Sequence, residues 1–309
     1  MQALGADAQE GKVSRSFLFV PADSERKLRK SQASGADALI LDLEDSVAAS
    51  EKPRARRQAA AFLSDRADTP VWVRINPLDT EDALADLREI VPAAPFGIVL
   101  PKPTGARDSA KLGKLLDVLE QESGIAEGKT RIMPIATERP AALFHMHEYR
   151  GVSERLAALT WGAEDLSTAL GASKNRDTSG NWLPPYELAR SLCLFAAAAA
   201  EVAAIDTIFA EFRDDDALTR YASAARRDGF SGMLAIHPAQ VGIINRAFTP
   251  DADEVARATL IVSLFEENPG AGVVAFDGEM LDRPHLLQAL KIVAMANNET
   301  SKTTEQNDE

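Results

Sequence analysis

Residues 35–46 read GADALILDLEDS, a short apolar run that ends in acidic residues and precedes a helical stretch. An apolar run without alternation is typical of a parallel strand that is buried on both faces. This unit recurs along the chain, with predicted strands at residues 16–20, 38–43, 71–75, 97–100, 131–135, 158–161, 206–210 and 233–236. Eight units of strand and helix predict an α/β fold of the (β/α)8 TIM barrel type.

The alternative α/β fold is an open, doubly wound sheet, which usually carries a glycine fingerprint after its first strand. Here the first predicted strand is followed by PADSE, residues 21–25, and the sequence contains neither a GxGxxG nor a Walker motif. The closed barrel is therefore favoured, and the open sheet is kept as the alternative.

The two ends of the chain, residues 1–14 and 297–309, are polar without periodicity and are predicted to be flexible tails. The barrel is expected to occupy residues 15–246. Residues 247–296 are expected to form a C-terminal extension with a helix, a hairpin-like stretch and a last helix. This extension is either a packing appendage or a lid or inter-subunit arm, and the sequence leaves both alternatives open.

Charge and cysteine content restrict the class of protein. The chain has 34 basic and 47 acidic residues, and its net charge of −13 disfavours nucleic acid and anionic membrane surfaces as partners. The sequence contains no apolar run that is long enough to predict a membrane span. The single Cys193 cannot form an internal disulfide and no signal-peptide pattern precedes the first strand, so a cytoplasmic location is expected.

Titratable side chains follow seven of the eight predicted strands. The carboxyl ends of barrel strands converge on one rim, so these residues are expected to share one site. They are Asp42, Glu44, Asp45, Arg74, Lys102, Glu138, Glu164, Asp165, Glu211, Arg213 and His237. A carboxylate after a strand can also simply cap the next helix, which is the alternative interpretation of Asp45 or Asp165 taken alone.

Several carboxylates in one concave site repel each other unless a cation or protons intervene. A zinc site is not supported, because His145 and His147 are expected to point to different faces of a helix. Oxygen ligands completed by water and substrate suit Mg²⁺, with Mn²⁺ as a substitute. Glu138 and Asp165, at the ends of neighbouring strands, are the predicted metal ligands.

With these positions assembled, the chain resembles the HpcH/HpaI aldolase family, in the citrate lyase β-subunit-like branch that includes malyl-CoA and citramalyl-CoA lyases. The matching segments are RSFLFVPADSERKLRK, GADALILDLEDSVAASEKPRAR, VRINP, GIVLPKP, TWGAEDLSTALG, IHPAQV and DGEMLDRPHL, from about Arg15 to Leu287. The resemblance implies a Mg²⁺-dependent barrel that cleaves or condenses 3-hydroxyacyl thioesters. It also implies a homo-oligomer, usually a trimer or a hexamer.

The resemblance assigns roles to individual residues. Glu138 and Asp165 match the metal ligands of the family, and Arg74 matches a residue that binds substrate oxygens. Asp282 resembles an acid/base supplied by the C-terminal arm of a neighbouring subunit; without the resemblance it is a helix N-cap. The implied contacts with CoA are Phe19, Arg26, Lys30, His237 and Pro238, and the implied supporting residues are Asp42, Glu44, Asp45, Lys102 and Glu164. On composition alone, the basic stretch around Arg26 and Lys30 is a solvated helix face.

The sequence departs from the family pattern in two places. Arg139 and Pro140 follow the predicted ligand in ATERPAALFHMHEY, and Ala22 stands in VPAD where glycine is usual.

The predicted function is an acyl-CoA lyase that releases acetyl-CoA and a 2-oxo acid such as glyoxylate or pyruvate. Two alternatives remain open: a class II pyruvate-type aldolase acting on free hydroxy-oxo acids, and a lyase subunit that acts only with an acyl-carrier partner.

Overall fold

The computed structural model describes residues 14–65 and 69–305. Within these ranges the chain forms two compact units, one made of Ser14–Arg246 and one that starts at Ala247. No helix in the described ranges is long and apolar enough to cross a bilayer.

The first unit is built on eight parallel strands in the order β5-β4-β3-β2-β1-β8-β7-β6. The strands are β1 (Ser16–Pro21), β2 (Ala38–Asp42), β3 (Val71–Arg74), β4 (Gly97–Leu100), β5 (Arg131–Pro134), β6 (Ala158–Thr160), β7 (Ala203–Asp206) and β8 (Gly232–Ala235). Parallel bridges from Ile132 to Leu156 and from Ile135 to Thr160 join the two outermost strands, β5 and β6. The predicted TIM barrel is confirmed, and the open sheet is excluded.

The segments between the strands form helices, because the apolar residues of these segments recur every three or four positions and so form one buried face. In the fourth helix, for example, Leu112, Leu116 and Leu119 are buried together. The barrel helices are α1 (Glu25–Ser31), α2 (Lys52–Ser64), α3 (Glu81–Ile90), α4 (Ala106–Glu122), α5 (Ala163–Leu170), α6 (Pro184–Ala199), α7 (Asp215–Asp228) and α8 (Pro238–Phe248). Short 3-10 helices cover Ala49–Glu51, Val91–Ala93 and Pro140–Tyr149. Cys193 is a buried residue of α6.

The barrel interior is filled by apolar side chains, and bulky residues alternate with small ones. A Cβ at Gly97 would lie 2.4 Å from the Trp72 ring, so the glycine makes room for the indole. Ile135 and Leu234 belong to the same buried cluster, and the partly buried Phe19 and Ile208 pack against it. The carboxyl end of the barrel therefore opens above an apolar floor.

One strand lies elsewhere than predicted. The seventh strand was expected at residues 206–210, but β7 ends at Asp206, where its register pairs Ile205 with Gly232 and Asp206 with Met233 of β8. The residues at the mouth after β7 are consequently Thr207 and Ile208, and Glu211 and Arg213 lie farther along the loop.

The second unit contains α9 (Ala252–Glu267), an antiparallel hairpin of β9 (Val273–Phe276) and β10 (Glu279–Asp282), and α10 (Arg283–Glu305). Asp251 caps α9 through a capping box with Glu254. Asp277 and Gly278 turn the hairpin with positive φ angles of 50° and 80°. The helix, hairpin and last helix occur in the predicted order, and α10 continues past residue 296.

Candidate active site

A cavity of ≈ 260 Å³ lies at the carboxyl end of the barrel strands. Its lining comprises Phe19, Pro21, Asp42, Ser46, Arg74, Ile135, Glu138, Trp161, Gly162, Ala163, Glu164, Asp165, Thr207, Ile208, Leu234 and Ile236. The strand-end rule therefore brings most of the predicted acidic residues and Arg74 to one cavity.

Glu138 follows β5 and is almost completely buried, with 4% of its surface exposed. Its Oε2 accepts a hydrogen bond of 2.5 Å from the backbone N–H of Lys102. Burial, followed by the negative charge of Asp165, raises the pKa of Glu138 well above its usual value. A Cβ at Gly162 would lie 2.7 Å from Glu138 Cγ, so the glycine leaves the space that this side chain occupies.

Asp165 lies in the first turn of α5, and its carboxylate reaches the cavity that Glu138 lines. Its Oδ1 is 3.4 Å from Lys102 Nζ. The two predicted metal ligands thus face one space and repel each other, and a hard cation between them would relieve that repulsion. Among the described residues no group of three or more His, Cys, Asp or Glu could hold a metal. Any ion here would take its remaining oxygens from water or substrate, as Mg²⁺ commonly does.

Arg74 ends β3 and forms a bidentate ion pair with Asp42 at the end of β2. Its Nε and Nη2 each donate to one Asp42 oxygen at 2.7 Å, and its Nη1 is 3.0 Å from Glu44 Oε2. The guanidinium also lies 4.8 Å from the centre of the Phe19 ring. Burial alone would raise the pKa of Asp42, but the charge and hydrogen bonds of Arg74 hold it below its usual value. Arg74 is therefore a fixed positive charge on the cavity wall.

Lys102 follows β4 and connects several acidic residues of the rim. Its φ of 48° is in the left-handed region, which aims its backbone N–H at Glu138. Its ammonium donates to Glu44, and to Asp45 Oδ2 at 2.9 Å. Burial opposes the charge, but Glu44 and Asp45 outweigh it and raise the pKa of Lys102. Glu164 lines the cavity and accepts a hydrogen bond of 2.9 Å from Asn175.

Trp161, which the sequence did not single out, forms part of the apolar wall. Its Nε1 donates to the buried Asp206 at 2.6 Å, and Arg190 donates to the other oxygen of Asp206 at 2.8 Å and 3.0 Å. The indole is thus held in one orientation by a buried carboxylate that Arg190 also contacts. Trp161 immediately precedes the acidic GAED segment, and its place at a strand end is the signal that could have identified it.

The residues implied to contact CoA lie mainly outside the cavity lining. Phe19 lines it, whereas Arg26 and Lys30 are exposed on α1. His237 and Pro238 are exposed at the start of α8, where the His237 ring stacks on Phe212 with centres 5.0 Å apart.

The other polar residues singled out from the sequence are accounted for locally. Arg139 donates to Asp79 at 2.8 Å. His145 lies on a 3-10 helix and pairs with Glu148 at 2.9 Å. In the C-terminal unit, Asp282 ends β10 and its Oδ1 is 2.6 Å from Nδ1 of His285.

The barrel, the cavity at its mouth and the paired carboxylates define an α/β-barrel enzyme with an acidic active-site cavity. The sequence profile described as HpcH/HpaI aldolase/citrate lyase matches residues 15–238. The chain belongs to the HpcH/HpaI aldolase/citrate lyase family and is a carbon–carbon lyase.

Three similar proteins illustrate the family. The citrate lyase subunit beta of Leuconostoc mesenteroides subsp. cremoris is 31% identical over 290 residues, 93% of this chain and 94% of that protein. The mitochondrial citramalyl-CoA lyase of Rattus norvegicus is 31% identical over 294 residues, 91% and 86% of the two chains. The crystal structure of CitE from Mycobacterium tuberculosis with magnesium, acetoacetate and coenzyme A is 29% identical, with a TM-score of 0.76 and coverage of 92% and 98%.

Proposed function

We propose that the protein is a Mg²⁺-dependent lyase that cleaves a 3-hydroxyacyl-CoA, such as malyl-CoA or citramalyl-CoA, to acetyl-CoA and a 2-oxo acid, or forms it by condensation. The observation that carries the proposal is that Glu138 and Asp165 line one cavity and repel each other. Their oxygen donors and number suit Mg²⁺, or Mn²⁺ as a substitute. Relatives that act on citramalyl-CoA, or that bind magnesium with coenzyme A, support the choice of substrate.

Three parts of the reaction have a candidate group: activation of the substrate oxygens, stabilisation of the oxyanion and proton transfer at the enolate carbon. The hydroxyl proton lost in cleavage would pass to solvent, from which Asp282 would regain the proton that it gives to the enolate carbon. When bound between Glu138 and Asp165, the ion would act as a Lewis acid on the substrate oxygens. Arg74 is already oriented by Asp42 and supplies a fixed positive charge where the oxyanion develops. Asp282 would protonate the enolate carbon to give the acetyl group, or remove that proton in the condensation direction. Ile135 and Leu234 supply an apolar floor beneath these groups.

The coenzyme and the assembly complete the proposal. Arg26 and Lys30 are exposed one helical turn apart on α1, and they offer positive charge to the phosphates of CoA. His237 and Pro238 at the start of α8 would lie along the same ligand. We also propose a homo-oligomer, a trimer or a hexamer, in which Asp282 reaches the cavity of a neighbouring subunit. A cytoplasmic location fits the single buried thiol.

The test of the metal site is Asp165→Asn. This variant keeps the size of the side chain and removes the charge, so we expect Mg²⁺ affinity to fall at least about tenfold and acetyl-CoA release to be abolished. Calorimetric titration with Mg²⁺ and a coupled assay for acetyl-CoA measure the two effects. The matched control is Asp45→Asn, which also contacts Lys102 but does not line the cavity. Full Mg²⁺-dependent turnover by Asp165→Asn would remove Asp165 from the ligand set.

The alternatives differ from the proposal in what the enzyme needs. A class II aldolase would react with pyruvate and simple aldehydes without CoA, and a subunit of a larger lyase would be active only with its acyl-carrier partner. Acetyl-CoA release by the isolated protein would contradict the second alternative. Aldol formation without any thioester would favour the first.

A further inference from the structure

We infer that the cavity selects a 2-oxo acid with a single carboxylate and an uncharged alkyl substituent, and discriminates against 2-oxo acids that carry a second carboxylate. This inference rests on the proposed function, since it names the substrate class of the same site. It follows from how charged and apolar side chains are distributed around the barrel mouth.

The mouth is divided into two arcs. Charged side chains come from the ends of β2, β3, β5 and β6, and they are Asp42, Arg74, Glu138, Glu164 and Asp165; the apolar Ile135 and Trp161 lie on the same side of the lining. The side formed by β1, β8 and β7, which are consecutive neighbours in the sheet, has no charged side chain in the described lining. Its apolar side chains are Phe19, Pro21, Ile208, Leu234 and Ile236, and Thr207 lies beside them. We call this second group the apolar arc. Phe19, Ile208 and Leu234 pack with the barrel core. The apolar arc is therefore a hydrophobic surface that offers no solvation to a buried charge.

Positive charge on the cavity wall is limited. Within the described lining, Arg74 is the one cationic side chain, and its guanidinium is already paired with Asp42 and close to Glu44. Lys102 lies nearby but its ammonium is held by Glu44 and Asp45. One divalent ion and Arg74 would together face four carboxylates before any substrate enters.

A 2-oxo acid bound through its carboxylate and keto oxygen beside Glu138 and Asp165 has one further substituent to place. If this substituent points towards the acidic arc, a second carboxylate meets like charges. If it points towards the apolar arc, a second carboxylate is buried without a partner. An alkyl group is accepted by the apolar arc, so in either orientation a charged substituent is disfavoured.

The decisive comparison uses two acids of the same shape. Oxaloacetate and 4-methyl-2-oxopentanoate differ in that two methyl groups replace the two oxygens of the second carboxylate. We expect the Mg²⁺-loaded protein to bind pyruvate and 4-methyl-2-oxopentanoate at least roughly 10²-fold more tightly than oxaloacetate, because Arg74, the cationic side chain of the described lining, is already paired with Asp42 and close to Glu44. Calorimetric titration of the whole protein measures this directly, and condensation with acetyl-CoA should rank the acids in the same order.

A gain-of-function variant tests the apolar arc itself. Ile208→Lys places an ammonium there, so we expect it to improve oxaloacetate binding and weaken binding of 4-methyl-2-oxopentanoate. Ile208→Met changes the shape without the charge and should keep the original order. Equal or tighter binding of oxaloacetate by the wild-type protein would overturn the inference, as would failure of all three acids to bind. Correct binding order without any condensation or cleavage would instead refute the proposed function and leave the selectivity standing.

Discussion

Arg74 and Asp42 form the most constrained ion pair at the barrel mouth. Arg74 lowers the pKa of Asp42 in the folded protein, so Asp42 ionises at a lower pH there than in the unfolded chain. The pair contributes stability above the unfolded pKa of an aspartate, about 4, and this contribution is lost as the pH falls through the lower folded pKa.

Removing Arg74 should expose the cost of the buried carboxylate. Arg74→Met leaves Asp42 without its counter-charge, so we expect a loss of about 3 kcal/mol of unfolding free energy at neutral pH. The loss should shrink at about pH 4, because burial without the counter-charge raises the pKa of Asp42 and its carboxyl is then protonated. Urea unfolding at the two pH values checks this. Arg74→Lys keeps a charge and should lose less; equal losses at both pH values would contradict the argument.

At this scale the sequence predicted charged residues better than apolar ones. Arg74, Glu138 and Asp165 were identified because a titratable group at a strand end has few structural reasons to be there. Trp161, Ile208 and Leu234 line the same cavity, but an apolar residue at a strand end looks like ordinary core. Apart from Phe19, the apolar side chains of the cavity were therefore missing from the prediction.

At the scale of elements, the number and order of the barrel strands were predictable, but the position of β7 in the sequence was not. The segment AAIDTIFA contains two apolar runs around Asp206, and a strand buried on both faces has no alternation to fix its ends. Pairing with β8 and the contacts of Asp206 with Arg190 and Trp161 fix where β7 ends. These are tertiary interactions, which the local sequence does not encode.

The turn between β6 and α5 makes a prediction at the same scale. Gly162 has φ −119° and ψ 117°, which alanine also adopts, so Gly162→Ala acts through its Cβ alone. That atom would displace Glu138, and we expect Mg²⁺ affinity to fall about tenfold or more with little change in far-UV circular dichroism. The control is Gly113→Ala in α4, whose Cβ has ordinary contacts of 3.4 Å and 3.8 Å. Unchanged Mg²⁺ binding in Gly162→Ala would show that Glu138 is not a ligand.

At the scale of the whole molecule, the C-terminal unit has a small core of its own around Ile261 and Leu281. Its hairpin presents Asp282 beside His285, with half of the Asp282 side chain exposed. The Asp251 capping box and the Asp277–Gly278 turn are local features that bound its first helix and its hairpin, and neither was singled out from the sequence.

Complementation between subunits tests whether Asp282 acts across an interface. Asp165→Asn and Asp282→Asn should each be inactive, and Asp282→Asn should still bind acyl-CoA. If Asp282 serves a neighbouring subunit, a site is complete where a subunit with intact Asp165 adjoins one with intact Asp282, so trimers that contain both variants regain about a third of their sites. Acetyl-CoA release by tandem-tag-purified hybrids is the measurement. Hybrids that stay inactive while both variants remain folded would show that each subunit uses its own Asp282, whereas an active Asp282→Asn variant would show that Asp282 is only a helix cap.

The loop after β4 has a consequence for attempts to redesign this barrel. The backbone N–H of Lys102 donates to Glu138, which follows β5. The ammonium of Lys102 donates to Glu44, which follows β2, and lies 3.4 Å from Asp165, which follows β6. Grafting the loop after β2, β5 or β6 from another barrel would break its contact with Lys102, and grafting the loop after β4 would break all three contacts at once. Phe19, Pro21 and Leu234 of the apolar arc belong to β1 and β8 themselves, so the practical route to new substrates is to exchange single side chains there and to leave the loops in place.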